Sequence, residues 1–326
     1  MSPRLRLTVA VGDYDITRPI IDGAVNPSGL DLIGVTMPSP QRHWRMLKHR
    51  EFDVAEMSLG SYCARVSRGE DDLIAVPAFP HRRFRHGYAF VSAASGIDSA
   101  KQLAGKTVGV RNWQTTAGVW LRGILEEFHE LPVTSVDWIA QDGEDVEMSL
   151  PPGVNLRQVG SDAVVTDMCA SGEIDGLIYP ELPRQVVDGD GTIRRIFNDP
   201  KSVEQDYYRQ TEIFPIMHVV AIKAQLVEQY PWLPRSILET FTESKRLAME
   251  RLTNPRTVSL AWLRALQEEE ESLLGSDPWR YGLDDVNRNT LDTFLRYASA
   301  QGVTTRRVEV DELFHPSTTA SMPRYV

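Results

Sequence analysis

Near the N-terminus Leu5, Leu7, Val9 and Val11 alternate with Arg6, Thr8 and Ala10, the two-residue period of a strand. The run stops at Gly12, Asp13, Tyr14 and Asp15, a polar strand end. Pro27, Ser28 and Gly29 read as a turn, and residues 30–35 as a second strand. A short helix follows over 41–49, with Trp44 and Leu47 on one side. Residues 52–57 make a third strand and 60–68 the helix after it. A fourth strand spans 73–78, and another leaves at 88–92.

The texture then restarts. Asp98 or Ser99 caps a short helix stopped by Gly105. Residues 106–110 form a strand and 111–116 a turn. Ala117, Trp120, Leu121, Ile124, Leu125 and Phe128 then share one helical face. Strands are expected near 135–139 and 176–179, with a loop over 142–155 and a helix over 163–170. Residues 217–222 form an apolar strand. Pro234 opens a long helix through Leu252, and further helices cover 258–274 and 290–300. Strand and helix thus alternate in two blocks, which predicts an α/β chain of two lobes. The first lobe takes residues 1–87 and 215–326; the second, 88–214, is inserted between crossover strands near Tyr88 and Met217. A cleft between the lobes is the expected ligand site.

The 326 residues, 42% hydrophobic and 25% charged, are material for two ordinary domains. A formal charge of −10 disfavours nucleic acid or an anionic membrane as partner. Two cysteines, Cys63 and Cys169, make neither a disulfide framework nor a thiolate metal site. The opening residues lack the apolar core of a secretory signal, and no run of about 18 apolar residues suggests a span. The expected location is the cytoplasm. The long amphipathic C-terminal half is compatible with a homodimer.

Against that acidic background, Arg82, Arg83, Arg85, His81 and His86 crowd into six residues. One reading is a solvated basic loop. The other packs the loop through Phe79, Pro80 and Phe84 and turns Arg82 and Arg85 inward, where arginine suits a carboxylate. Glu56 ends a strand, with Ser58, Ser61 and Tyr62 just beyond it; it is either a structural carboxylate or a proton donor. Gln114, Thr115 and Thr116 cap a helix start, and the same backbone N–H groups make an anion site. His218 lies at the second crossover, as a core residue or as a general base. His43 and His49 read as surface residues of a helix. A carboxylate, histidines and guanidinium groups around one crevice suit a small anionic substrate that needs proton transfer. No Gly-rich nucleotide loop, Gly-x-Ser-x-Gly or His-Glu-x-x-His occurs, so no cofactor is expected. A divalent metal held by His81, His86, His218 and Glu56 stays open without a spacing that calls for it.

The chain resembles the 4,5-dihydroxyphthalate decarboxylase family, which is similar in fold to type II periplasmic solute-binding proteins. The resemblance rests on Asp13 to Asp15 with Thr17 and Arg18, on 49–58 with Ser61 and Tyr62, and on Phe79, Pro80, Arg82 and 84–86. It continues through Gly105, Lys106, 108–110, Gln114, Thr116, Ala117, Trp120, 122–125, 172–175 and 213–218, and then 281–283, 293–297 and 312–314. Within the basic loop Arg83 is an extra arginine, and His81 stands where the family pattern has a small polar residue. The resemblance implies a cofactor-independent aromatic decarboxylase that turns 4,5-dihydroxyphthalate into protocatechuate and CO₂, as in phthalate degradation. On that chemistry His218 or His86 would be the base or acid, and Glu56 the second proton-transfer group or the group that orients a histidine. Arg82, Arg85, Gln114, Thr115 and Thr116 would bind carboxylates; Asp13, Tyr14, Ser58 and Tyr62 would position hydroxyls. The rival readings are a solute-binding protein for a small aromatic carboxylate and a decarboxylase of another hydroxylated aromatic acid.

Overall fold

A computed structural model describes residues 4–25, 27–160 and 162–319. Its strands are β1 (Leu5–Val11), β2 (Leu30–Thr36), β3 (Val54–Ser58), β4 (Leu73–Val76) and β5 (Ala89–Ser92). They continue as β6 (Thr107–Val110), β7 (Asp137–Ala140), β8 (Asn155–Gln158), β9 (Gly176–Ile178), β10 (Ile193–Arg195) and β11 (His218–Lys223). One sheet has the order β2-β1-β3-β11-β4 and the other β10-β5-β9-β6-β7-β8. In the first, β1 runs parallel to β2 and β3, while β11 returns antiparallel between β3 and β4. In the second, β6 to β9 are parallel and β5 opposes β9 and β10. The chain is α/β in both halves.

Every residue of β3 is buried, as expected of a central strand covered on both faces. Glu56 sits in the middle of that strand. The register pairs Val220 with Glu56 and His218 with Ser58, so Glu56 and His218 are diagonal neighbours on one face. The two crossovers between the sheets run side by side. Arg82 and Ile216 form an antiparallel bridge, and the Met217 N–H donates to the His81 carbonyl at 2.9 Å. This short ribbon sets His81 next to His218.

The C-terminal chain ties the sheets together. The helix Asp285–Ala300 packs on Thr116–Phe128, where Trp120 and Phe294 meet with ring centroids 5.5 Å apart. Trp120 Nε1 also donates to the Ile216 carbonyl at 2.9 Å. Residues 310–314 return to the first sheet, where Phe314 bridges Ala75. One apolar core therefore runs from Met57 and Phe79 through Trp120 to Phe294.

Most expected elements form, with shifted ends. The last helix starts at Asp285 and not near Thr290, because Asp284 accepts from the Asn287 N–H at 2.9 Å and adds a polar first turn. The expected helix over 258–274 begins only at Leu263. The helix Pro200–Thr211 carries no apolar signal; it buries Tyr207 alone and is capped by Asp199. Trp44 is exposed, while Arg42, His43, Met46 and Leu47 face inward, so the expected orientation of that helix is wrong by about one residue.

Candidate active site

Glu56 is completely buried and collects four donors. Oε2 accepts from the Gly12 N–H at 2.7 Å and from Arg42 Nη2 at 2.8 Å. Oε1 accepts from the Tyr14 hydroxyl at 3.0 Å and lies in a close contact with His218 Nδ1. A Cβ at Gly12 would fall 2.2 Å from the Tyr14 ring that lies over it, so a side chain there would push Tyr14 off Glu56. Arg42 is buried too; Nη2 also donates to Ser39 Oγ, and Nε and Nη1 donate to the carbonyls of Glu56 and Met37. Burial, and then the Glu56 carboxylate, push the Tyr14 phenol far above its ordinary range, so it stays a donor.

With Arg42, Gly12 and Tyr14 all donating to Glu56, the carboxylate is left as an acceptor for His218. Nδ1 therefore carries the imidazole proton, and Nε2 keeps its lone pair on the cleft side. Burial first, then the cations Arg42 and Arg85, hold the imidazole neutral, well below its ordinary range.

The cleft in front of His218 encloses about 170 Å³. On the first sheet's side, His43 and His81 set their rings edge-on to His218, with centroids 4.8 and 4.7 Å away. Both are neutral. Burial depresses His43 far below the usual value and, with His218 and Arg85, takes His81 down to about 2. On the other side the helix Thr116–Phe128 presents its start: Thr115, Thr116 and Ala117 line the cleft, and no side chain caps the first turn. Thr116 Oγ1 accepts from the Gly60 N–H at 2.9 Å and shares a hydrogen bond with Ser58 Oγ at 2.9 Å, fastening that helix to the end of β3. Arg85 also lines the cleft, anchored by Nη1 to the Pro180 carbonyl at 3.0 Å. Burial lowers its pKa to about 10, which leaves it cationic at neutral pH. Arg111, also on the cleft, is paired with Asp142 at 3.0 Å.

Several residues expected at the site lie elsewhere. Arg82 turns away from the cleft, and its guanidinium is taken by the carbonyls of Phe214 and Arg280 and by Asn287 Oδ1. His86 is packed among Phe197, Tyr207 and His129, off the cleft. Tyr62 donates to the Leu313 carbonyl and accepts from the Ala75 N–H, both within the core. Gln114 brackets the Val146 backbone with both ends of its amide. Asp13 is exposed and pairs with Arg18 at 3.2 Å. Glu56, Tyr14, Ser58, Thr115, Thr116, Arg85 and His218 do come together. His86 stands apart from His81, His218 and Glu56, and no three His, Cys, Asp or Glu among the described residues are grouped to hold a metal ion.

Arg42 and His43 were not anticipated, and His43 is buried where a surface residue was expected. A usable signal was present. Met46 and Leu47 stand three and four residues after His43, the spacing of a shared helical face.

No family model matches the chain. It is 35% identical over 326 residues to 4,5-dihydroxyphthalate decarboxylase of Comamonas testosteroni, covering 98% of each chain. Among solved structures it is similar to the alkanesulfonate-binding protein SsuA of Xanthomonas axonopodis pv. citri bound to MOPS. The TM-score there is 0.58 at 12% identity, covering 97% of this chain and 99% of that one. The desulfurization enzyme DszB matches with a TM-score of 0.52 at 15% identity, over 97% and 98% of the two chains. The fold is that of the periplasmic binding proteins.

Proposed function

Because the chain belongs to the 4,5-dihydroxyphthalate decarboxylase family, we propose that its cleft removes one carboxylate, as CO₂, from a hydroxylated aromatic dicarboxylate. The substrate in this reading is 4,5-dihydroxyphthalate and the product protocatechuate, within a cytoplasmic route of phthalate breakdown. The observation that carries the reading is the Glu56–His218 pair, a neutral imidazole backed by a buried carboxylate at the cleft wall. A proton transfer needs a base held in one tautomer and facing the cleft, which this pair supplies.

His218 Nε2 takes the proton of the ring hydroxyl para to the departing carboxylate. Glu56, hydrogen-bonded at Nδ1, orients the ring and stabilises the imidazolium that forms. The phenolate pushes electron density to the carbon that bears the carboxylate. That carbon accepts a proton from water in the cleft, the C–C bond electrons return to the ring as CO₂ leaves, and the phenolate so formed takes its proton back from the His218 imidazolium, which restores the aromatic diol and the neutral base. Electrons are supplied by the ring hydroxyl, so the reading requires no cofactor. Arg85 and the uncapped start of the helix Thr116–Phe128 hold the carboxylates. Ser58 also lines the cleft, with its hydroxyl tied to Thr116 Oγ1.

The test incubates chelator-treated protein with 4,5-dihydroxyphthalate and follows CO₂ and the ultraviolet spectrum. Turnover to protocatechuate is expected, without added metal. Saturable binding with no CO₂ under any metal condition would move the protein to the solute-binding class that shares its fold.

A further inference from the structure

The cleft wall formed by the first sheet carries three imidazoles, and the Glu56–His218 pair uses only one of them. Among the described residues neither ring nitrogen of His43 or His81 has a hydrogen-bond partner. His43 Nε2 and His81 Nδ1 are sealed from solvent, so a ligand in the cleft meets each ring at its other nitrogen, which is left free to bond it. His81 is also held firmly. Its carbonyl accepts from the Met217 N–H at 2.9 Å and the His218 N–H at 3.3 Å. Its ring is stacked on Tyr14, with centroids 5.5 Å apart, and set edge-on to His218 at 4.7 Å.

A neutral imidazole has one donor and one acceptor, which matches a phenolic hydroxyl and not a carboxylate. The uncapped helix start at Thr115 and Thr116 faces the cleft from the second lobe, and Arg85, Asp145 and Glu181 also line it. A ring acid therefore enters with its hydroxyl edge toward the histidines. Where His218 takes one hydroxyl, an adjacent hydroxyl meets a neighbour of His218. His43 is buried to 6% exposure, and His81 is the more open of the two. We propose that His81 is a specificity-determining residue that binds the second hydroxyl of a vicinal ring diol, next to the hydroxyl that His218 deprotonates. The inference rests on the decarboxylase reading for the identity of the ring acid. The Tyr14–His81–His218 arrangement then selects dihydroxylated over monohydroxylated substrates.

The experiment compares wild type, His81→Phe and His81→Ala. For each, kcat/KM is measured with 4,5-dihydroxyphthalate and with 4-hydroxyphthalate, which keeps only the hydroxyl para to the departing carboxylate. Dissociation constants are measured by calorimetry for protocatechuate and 3-hydroxybenzoate, the matching products. Wild type is expected to favour the diol by roughly 10- to 100-fold in both comparisons. Both variants are expected to lose most of that preference, because kcat/KM falls by a larger factor with 4,5-dihydroxyphthalate than with 4-hydroxyphthalate. An unchanged preference in both variants, equal losses on both substrates, or no preference in wild type would overturn the assignment. If wild type releases CO₂ from neither phthalate, the decarboxylase reading falls. The binding preference for protocatechuate, and its loss in the His81 variants, then still decides the role of His81.

Discussion

Four donors converge on one carboxylate, and at the residue scale most of the site follows from that. Glu56 fixes Tyr14, Arg42 and His218 together. Breaking a buried ion pair costs about 3–5 kcal/mol, because one charge is left without its partner. Glu56→Gln should therefore lower the urea midpoint markedly as well as activity. His218→Ala is expected to cut kcat by about 10²–10⁴, the range of general acid–base catalysis, with an unchanged circular dichroism spectrum; near wild-type turnover would remove His218 from the mechanism. The pH profile adds a signed prediction. A base works only unprotonated, so kcat/KM is level above the depressed pKa of His218 and falls on the acid side. Arg85→Met removes one of the cations that depress it, so the acid limb should move to higher pH. A limb that stays in place would uncouple the two residues. At this scale Glu56 and His218 were legible, as a polar residue in a strand and a histidine at a crossover. Arg82 and Arg85 were not separable, because two arginines in one loop look alike until the carbonyls of Phe214 and Arg280 claim one of them.

The contact that matters most between elements joins the end of β3 to the start of the helix Thr116–Phe128. Gly60 passes so close to Gln114 that a Cβ would lie 2.5 Å from its carbonyl oxygen. The obstacle is backbone, which moves only with the helix. Gly60→Ala should cost about 1–3 kcal/mol, as overpacking does, and raise KM by displacing Thr115 and Thr116. A thermal melt and a Michaelis curve check this; an unchanged melting temperature would show that the helix start yields freely. Elements with a strong period were legible in the chain. Polar ones were missed: β8 has no buried residue, and the helix Pro200–Thr211 buries one. Pattern reading follows apolar spacing, and these segments earn their structure from caps and neighbours.

For the molecule as a whole, the unusual feature is its store of neutral buried histidine. His43, His81, His86 and His218 are all pushed below the ordinary imidazole value of 6.5, mainly by burial. The native state refuses protons that the unfolded chain accepts below that value. Stability is thus level above about pH 6.5 and falls as pH drops, by up to about 1.4 kcal/mol per pH unit for each such group. Urea midpoints at about pH 7.5 and about pH 5.5 should show this decline. His86→Phe should flatten it, because His86 lies off the cleft and sits near 3. A midpoint independent of pH across that interval would mean the histidines are charged in the fold.

By itself the sequence determined the α/β class, the two strand-and-helix blocks and the family. Strand and helix periods and motif residues are local, and are written in chain order. Tertiary structure decided which side chains meet. The crossover ribbon sets His81 beside His218 across more than a hundred residues, and the β3–β11 register places His218 diagonal to Glu56. The helix Ser39–His49 turns Arg42 and His43 inward because Met46 and Leu47 must be buried. Such pairings depend on long-range register and on which face of an element the core claims, and neither is encoded by spacing along the chain.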